Sequence, residues 1–545
     1  MIEYIKKFLF LNLSEKNTKI LALLIALIES TLLIIVALNW SGSHFDDLEH
    51  LHASFLVSEG FVPYKDFFEH HHPLLWFLFA PIIKIFHNNA YVYYVSHLFS
   101  LVFSMVTWFF VYKILTNFIS NRKSWIMSLI FLSMFAWKFR ENQIEFRPDI
   151  YMYTTFWIGL YYYMLHLKTS KVKYLGISFS FFMISILFLQ KIAILLFFLG
   201  LYTLHLLLNK RLKLNNILIS TIPAIIILLI FISYLLFTDS IDKYWLLNFK
   251  LNSVMGKHYG LTYLDFSFKN IPIYIPFNNG YGAVQFGYFN IMLSYLTICL
   301  IPFLLMKKNL SDNEKIYRQI ISLMFVAELI ARLFTFSPYA HYFNIFPILS
   351  AMIIFSVFTD NKNNIKNYIS SLFVIIYLIC SIDYIMGKIN ITIPNHFVSK
   401  LQYIINNADN NDIVFNGLED NINIFNKDAD YIWFGINYAG YIYDVYYNNN
   451  QYDINEVIKM KNPRFIATGT YTLEQYRIRQ KELKKYNFDA IKLYNIKNDP
   501  NVSIQDIVVK LPIIQPNTID MDYIEKYYEP TPYENLWIRK DNISE

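Results

Sequence analysis

SGSHFDDLEHLHASFLVSEGFVPYKDFFEHHHP, residues 41–73, follows directly on an apolar segment at 20–40 and leads into another apolar run. The stretch gathers Asp46, Asp47, Glu49, Glu59, Asp66 and Glu69 with His44, His50, His52, His70, His71 and His72. Ionisable groups held at a membrane surface are costly unless they are paired, solvated or used. The spacing predicts a helix over Phe45–Ser58, with Leu48, Leu51 and Phe55 as its apolar stripe. Asp46, Glu49, His50 and Ala53 then share another face. Such a helix is expected to lie half-buried on the outer surface. Its acidic residues sit at the N-terminal end, where the helix dipole favours negative charge. A carboxylate there could deprotonate a hydroxyl, or Asp46 and Asp47 could simply cap the helix.

The composition sets the solvent. The chain is 55% hydrophobic, 19% aromatic and only 16% charged, whereas soluble domains carry about 25% charged residues. The expectation is an α-helical polytopic membrane protein. The net charge of +6 is spread in short clusters between apolar runs, a pattern that suits membrane orientation and not nucleic-acid binding. Two cysteines, Cys299 and Cys380, both lie in apolar runs, so neither a disulfide framework nor a cysteine metal motif is expected. The N-terminal stretch lacks a cleavable signal pattern, and the first span is expected to stay as an anchor.

At about 20 apolar residues per helix, about eleven spans are expected. They fall near 20–40, 91–115, 125–137, 150–167, 174–189, 192–208, 217–237, 288–306, 316–336, 339–358 and 368–386. Residues 73–86 read as a partly embedded helix. Basic clusters such as Arg122/Lys123, Lys168/Lys171/Lys173, Lys210/Arg211/Lys213 and Lys307/Lys308/Lys315 recur on every second connection. By the positive-inside rule these face the cytoplasm with the N-terminus. The loops 41–73 and 238–287 and the C-terminal part then lie outside. Residues 1–386 form the membrane domain in this reading. Residues 387–545, richer in Asn, Asp, Tyr and Lys, alternate β-rich runs at 412–415, 464–467 and 535–539 with a helical pattern at 473–485. That alternation predicts an extracytoplasmic α/β domain.

The order Asp46-Asp47, Glu49-His50, Gly60, Pro63-Tyr64, Asp66-Phe67-Phe68-Glu69-His70-His71, Pro73-Leu74 resembles the first external loop of bacterial GT-C glycosyltransferases. The similarity is to the dolichyl-phosphate-mannose–protein mannosyltransferase branch, family 39, to which the lipid A aminoarabinose transferase is also similar. The commonest family pattern has Asp-Glu where this chain has Asp46-Asp47, and two prolines where it has Pro73 alone. The resemblance implies a GT-C fold and transfer of a monosaccharide from a polyprenyl-phosphate donor to an acceptor hydroxyl on a lipid, glycan or protein. Asp46 would be the general base; Asp47 would hold it or help bind the donor or a metal ion. A bacterial plasma-membrane location and a role in cell-envelope or protein glycosylation follow from the same resemblance, with nucleic acid not expected as a partner.

Other residues join this expectation. Arg147-Pro148-Asp149 has an arrangement seen in related transferases; Arg147 could grip phosphate bidentately and Asp149 could be a second acidic contact. The same triplet also suits a helix start with Pro148 in the first turn. Lys191, beside Gln190 at the outer end of a span, could neutralise a lipid phosphate or snorkel to headgroups. Glu328 and Arg332, four apart on one helix, read either as a phosphate contact with its orienting partner or as a structural pair. Tyr64, Glu49, Glu69, His50, His70, His71 and His341 are candidate substrate contacts. A divalent metal ion is the one cofactor the sequence admits, with Asp46, Asp149 and His71 as candidate ligands. Of the adjacent histidines His70–His72, at most two could point at one ion. Glu29, in the first span, reads as a buried partner of an unidentified group.

Overall fold

Asp46 and Asp47 stand in the first turn of a helix that Gly60 closes, α1 (Phe45–Ser58). A computed structural model describes residues 45–119, 144–252, 296–306, 310–333, 345–358, 396–409, 411–416, 422–429, 454–468 and 519–541, together with Ser128, Tyr431 and scattered positions between 20 and 38. The expected spans at 125–137 and 368–386, the helical pattern at 473–485, Glu29 and His341 lie outside the described residues, Ser128 excepted.

At the end of α1, Gly60 N–H donates to Val57 O (3.1 Å) and Phe61 N–H to Leu56 O (3.0 Å). Gly60 has φ +92°, so this left-handed cap needs a residue without Cβ. The loop 61–73 returns the chain to α2 (Leu74–Ile85), a short apolar helix. Next come α3 (Val92–Phe118), α4 (Pro148–Thr169), α5 (Val172–Phe188), α6 (Ala193–Leu208, entered by a 3-10 turn at Gln190–Ile192) and α7 (Leu214–Phe237). Then follow a short α8 (Ile241–Trp245), a π-helical turn Leu246–Leu251, α9 (Asp312–Leu333) and α10 (Ile345–Phe358).

Among the described residues, three helices are long and apolar enough to cross a membrane: Val92–Phe118, Gln190–Leu208 and Leu214–Phe237. The last exposes Leu218, Ile222, Ile226, Leu229 and Ile230, an apolar surface that water disfavours and lipid does not. Inside the bundle the helices meet through small polar residues, as membrane helices do. Ser100 Oγ bonds Tyr151 Oη (2.9 Å) and Thr107 Oγ1 bonds Thr154 Oγ1 (2.8 Å), joining α3 to α4. Ser178 and Ser185 of α5 donate to Gly159 O (2.8 Å) and Met152 O (2.7 Å) of α4. At Gly159 a Cβ would lie 2.6 Å from the Phe182 ring, so the α4–α5 approach requires glycine.

The chain ends in α11 (His396–Asn407), β1 (Ile413–Phe415), β2 (Lys427–Asp428), α12 (Ile454–Lys461), β3 (Phe465–Ala467), α13 (Met521–Tyr527), β4 (Tyr528–Pro530) and β5 (Leu536–Arg539). The three β-rich runs read from the sequence are β1, β3 and β5. The strands form a sheet in the order β2-β1-β3-β5-β4, parallel from β2 to β3 and antiparallel from β3 to β4. Period-two alternation sends Val414, Phe465 and Ala467 towards α11, and Phe415 and Ile466 towards α12 and α13.

The expectation of a half-buried α1 is corrected. Every residue from Asp47 to Leu56 is buried. Helices α2 and α3 pack on α1, and residues 422–429 and Tyr431 bond to α1 and its loop.

Candidate functional site

Asp46 and Asp47 are neighbours in sequence but point to different ends. Asp47 is wholly buried. Its Oδ2 accepts from His97 Nε2 of α3 (2.9 Å) and its Oδ1 from Phe146 N–H (2.6 Å). Both oxygens are therefore engaged in fixing α1 to α3 and to the start of α4. Asp47→Ala is expected to cost about 1–3 kcal/mol of stability for each buried donor, His97 and Phe146 N–H, that loses this acceptor. A thermal melt of the detergent-solubilised variant checks this, and an unchanged melting temperature would contradict the clamp.

Asp46 keeps a side chain 31% exposed and ion-pairs with Arg147 Nη1. Arg147 stands just before α4, with Pro148 as that helix's first residue. Its Nε lies 3.6 Å from Asp149 Oδ2, while Asp149 Oδ1 accepts from Lys191 Nζ at 2.9 Å. Two acids and two bases from three separate elements thus converge. Lys191 belongs to the 3-10 turn that opens α6, one of the membrane-length helices. The Arg147–Asp149 pair and its place at a helix start, the structural reading of that triplet, are both present.

A second cluster adjoins the first: the charge of Lys191 is close enough to bear on His70. Glu49 lies one turn after Asp46 on α1, and the loop brings Glu69, His70 and His71 to it. Glu69 Oε2 accepts from the backbone N–H of His70 (2.9 Å) and His71 (3.3 Å) and faces His71 Nδ1 at 3.3 Å. Glu49 Oε1 lies 3.4 Å from His71 Nδ1. Among the described residues, neither Glu49 Oε1 nor Glu69 Oε1 accepts a hydrogen bond, although both are buried.

Burial first, and the neighbouring charge of Glu69 second, push the Glu49 carboxyl up to about 8. Burial opposes the charge of His71, but its contacts with both glutamates prevail and push it up to about 10. His70 and His50 are driven well below the ordinary imidazole range by burial and by the His71 charge, and His72 falls to about 3 for the same reasons. The acid that raises Glu49 is Glu69, brought to it by the loop.

The loop is held from behind. Tyr64, at φ +69°, donates its hydroxyl to His71 O (2.6 Å), so it acts on the backbone of the site. Asn252 donates to His70 O (3.1 Å), and the Asn248 amide reaches the carbonyls of His70 and His71 at 3.2 Å. Asn248 lies in the π-helical turn, a feature often found at functional sites. Trp76 Nε1 donates to His50 Nδ1 (3.1 Å), which places the proton of the neutral ring on Nε2. Among the described residues that buried Nε2–H has no hydrogen-bond partner, and it is available as a donor. Asp66 lies apart, exposed, accepting from Val62 N–H (2.7 Å).

Glu49, Glu69, His70 and His71 offer ligand atoms all within 4.8 Å of one another. Two carboxylates with uncommitted oxygens and two imidazoles fit Zn²⁺ or Mn²⁺. Only two of the histidines take part, as adjacency dictates. Asp46 and Asp149, the other candidate ligands, sit with the cations instead. Glu328 is buried in α9, and the side chain of Arg332 lies outside the described residues, as His341 does. His97 and His52 were not among the sequence candidates. His52 stands in the first loop next to residues that were, and its partners are far along the chain.

No protein-family model and no curated protein matches this chain.

Proposed function

We propose that the chain is an integral-membrane glycosyltransferase of the GT-C type that moves a monosaccharide from a polyprenyl-phosphate donor to an acceptor hydroxyl. The observation that carries the reading is the convergence of Asp46, Arg147, Asp149 and Lys191 beside the start of a membrane-length helix. A phosphate leaving group needs positive charge more than it needs a proton, and Arg147 and Lys191 supply it at one point.

In the free site the two acids balance the two bases. A donor phosphate draws Arg147 towards itself, and the same movement releases Asp46 from its ion pair. Asp46 then takes the proton of the acceptor hydroxyl as that oxygen attacks the anomeric carbon. The bond from this carbon to the phosphate oxygen breaks, polyprenyl phosphate leaves, and the configuration inverts. His50 Nε2–H and the Glu49–Glu69–His71 group line the acceptor side. A divalent cation held by Glu49, Glu69, His70 and His71 would add fixed positive charge there.

With this reading go a topology of about eleven spans, the first loop outside, and residues 387–545 as an external α/β domain of a bacterial plasma-membrane enzyme. Acceptors of the class are lipid A, another glycan, teichoic acid or protein. A transporter for lipid-linked sugars would spread its working charges along a path through the membrane, while the charged groups described above gather at one place. The test is transfer of radiolabelled sugar from a panel of polyprenyl-phosphate sugars in membranes with and without the chain. Label reaching an acceptor only with the chain supports the transferase. No transfer from any donor, together with movement of the labelled lipid across the bilayer, would make the protein a flippase.

A further inference from the structure

The C-terminal part of the chain reaches α1 through a residue the proposed reaction does not use. His52, wholly buried, lies one turn after Glu49 on α1. Its Nδ1 faces Ile424 O at 3.0 Å and its Nε2 faces Asp428 Oδ2 at 2.7 Å. The ring thus meets an oxygen acceptor at each nitrogen. Asp428 is not a loose partner. It sits on the edge strand β2, and its Oδ1 accepts from Asn423 Nδ2 (2.8 Å). Asn423 is tied in turn to Asn426, and the amides of Ile422 and Asn423 donate to Asn416 Oδ1 at the end of β1. The acceptor pair that meets His52 is thus built into the sheet.

Contacts on both sides extend this junction. Phe425 meets Phe55 of α1 edge-on, with ring centres 5.5 Å apart. Phe68 N–H donates to Tyr431 O at 3.0 Å, and the Tyr431 hydroxyl bonds Tyr64 O. Tyr64 is the residue whose own hydroxyl holds the His71 carbonyl. A single C-terminal segment therefore holds α1 through His52 and the histidine loop through Tyr431.

We propose that His52 and Asp428 are positioning residues: their hydrogen bond locks α1 to the C-terminal sheet and so sets where Asp46 and Glu49 stand. Residues 422–429 and Tyr431 then belong to the wall of the site. The consequence for catalysis rests on the transferase reading; the lock itself does not. Two measurements on the full chain in detergent separate them.

The first is amide hydrogen exchange across residues 46–56 in wild type, His52→Gln, Asp428→Asn and the double variant. The lock predicts at least tenfold faster exchange in each single variant and no further rise in the double. Unchanged exchange in both single variants overturns it, as would additive effects in the double. The second is steady-state transfer with the donor that wild type uses. Positioning predicts a tenfold or greater fall in kcat in Asp428→Asn, with the KM for donor within about threefold of wild type. Faster exchange with kcat unchanged would overturn the positioning role. A wild type that transfers nothing overturns the transferase reading, while the exchange experiment still decides the lock.

Discussion

Asp46→Asn is expected to lower sugar transfer roughly 10²–10⁴-fold, the range a positioned general base contributes, with the protein still folded and inserted. The reason lies in the difference between the two adjacent acids. Asp47 has both oxygens committed inside the bundle and is needed for the structure. Asp46 is partly exposed and held by Arg147 alone among the contacts described. Asn keeps the size and one acceptor oxygen of Asp46, so the variant loses the proton acceptor and little packing. Arg147 loses its counter-charge at the same time, which favours binding of an anionic phosphate. The KM for donor should therefore stay level or fall while kcat collapses, the pattern of a group that acts in the transition state. Initial rates over a range of donor concentrations read both constants. Transfer unchanged in Asp46→Asn at equal expression would remove Asp46 as the base, and Glu49 would be the next carboxyl to replace.

The local parts of this site were legible in the sequence, and the long-range parts were not. Leu48, Leu51 and Phe55 at helical spacing, with Gly60 beyond, mark α1 because each cue acts within a few residues. The strand runs at 412–415, 464–467 and 535–539 were legible for the same reason. The depth of α1 was not, because its cover comes from α2, α3 and residues 422–429, and no periodicity within a helix reveals what will lie on its polar face. The roles of the two aspartates show the same limit. Asp46 and Asp47 are consecutive, but consecutive residues on a helix diverge by about 100°. The acids that come together are Glu49 and Glu69, twenty positions apart and joined by the Gly60 turn. Asp47–His97 and His52–Asp428 lie further apart still, and only the fold matches them.

The Glu49–Glu69–His71 group sets the second large effect, on stability as a function of pH. The folded protein raises the Glu49 carboxyl from 4.5 to about 8 and the His71 imidazole from 6.5 to about 10. In both cases the folded state holds its proton more tightly than the unfolded chain. Stability therefore falls wherever the unfolded chain has lost a proton that the folded state keeps. For Glu49 the advantage is whole below 4.5 and is lost as pH rises through about 8. For His71 it is whole below 6.5 and is lost as pH rises through about 10. The two slopes have the same sign and overlap. With divalent ions chelated, the melting temperature should drop steadily from about pH 6 to about pH 9. The change is a few kcal/mol, at about 1.4 kcal/mol for each tenfold gain in proton affinity. Glu49→Gln, which mimics the protonated acid, should flatten the part of the slope below about pH 8, and by removing one of the two carboxylates that raise His71 it should also weaken the part above it. A divalent ion bound to the same atoms must displace these protons, so its stabilisation should grow with pH and oppose the decline. Melts of wild type and Glu49→Gln, with chelator and then with Zn²⁺ or Mn²⁺, read all three effects. An identical slope in the two proteins would mean that Glu49 is ionised throughout, and the buried acid pair would then not be the source of the site's proton affinity.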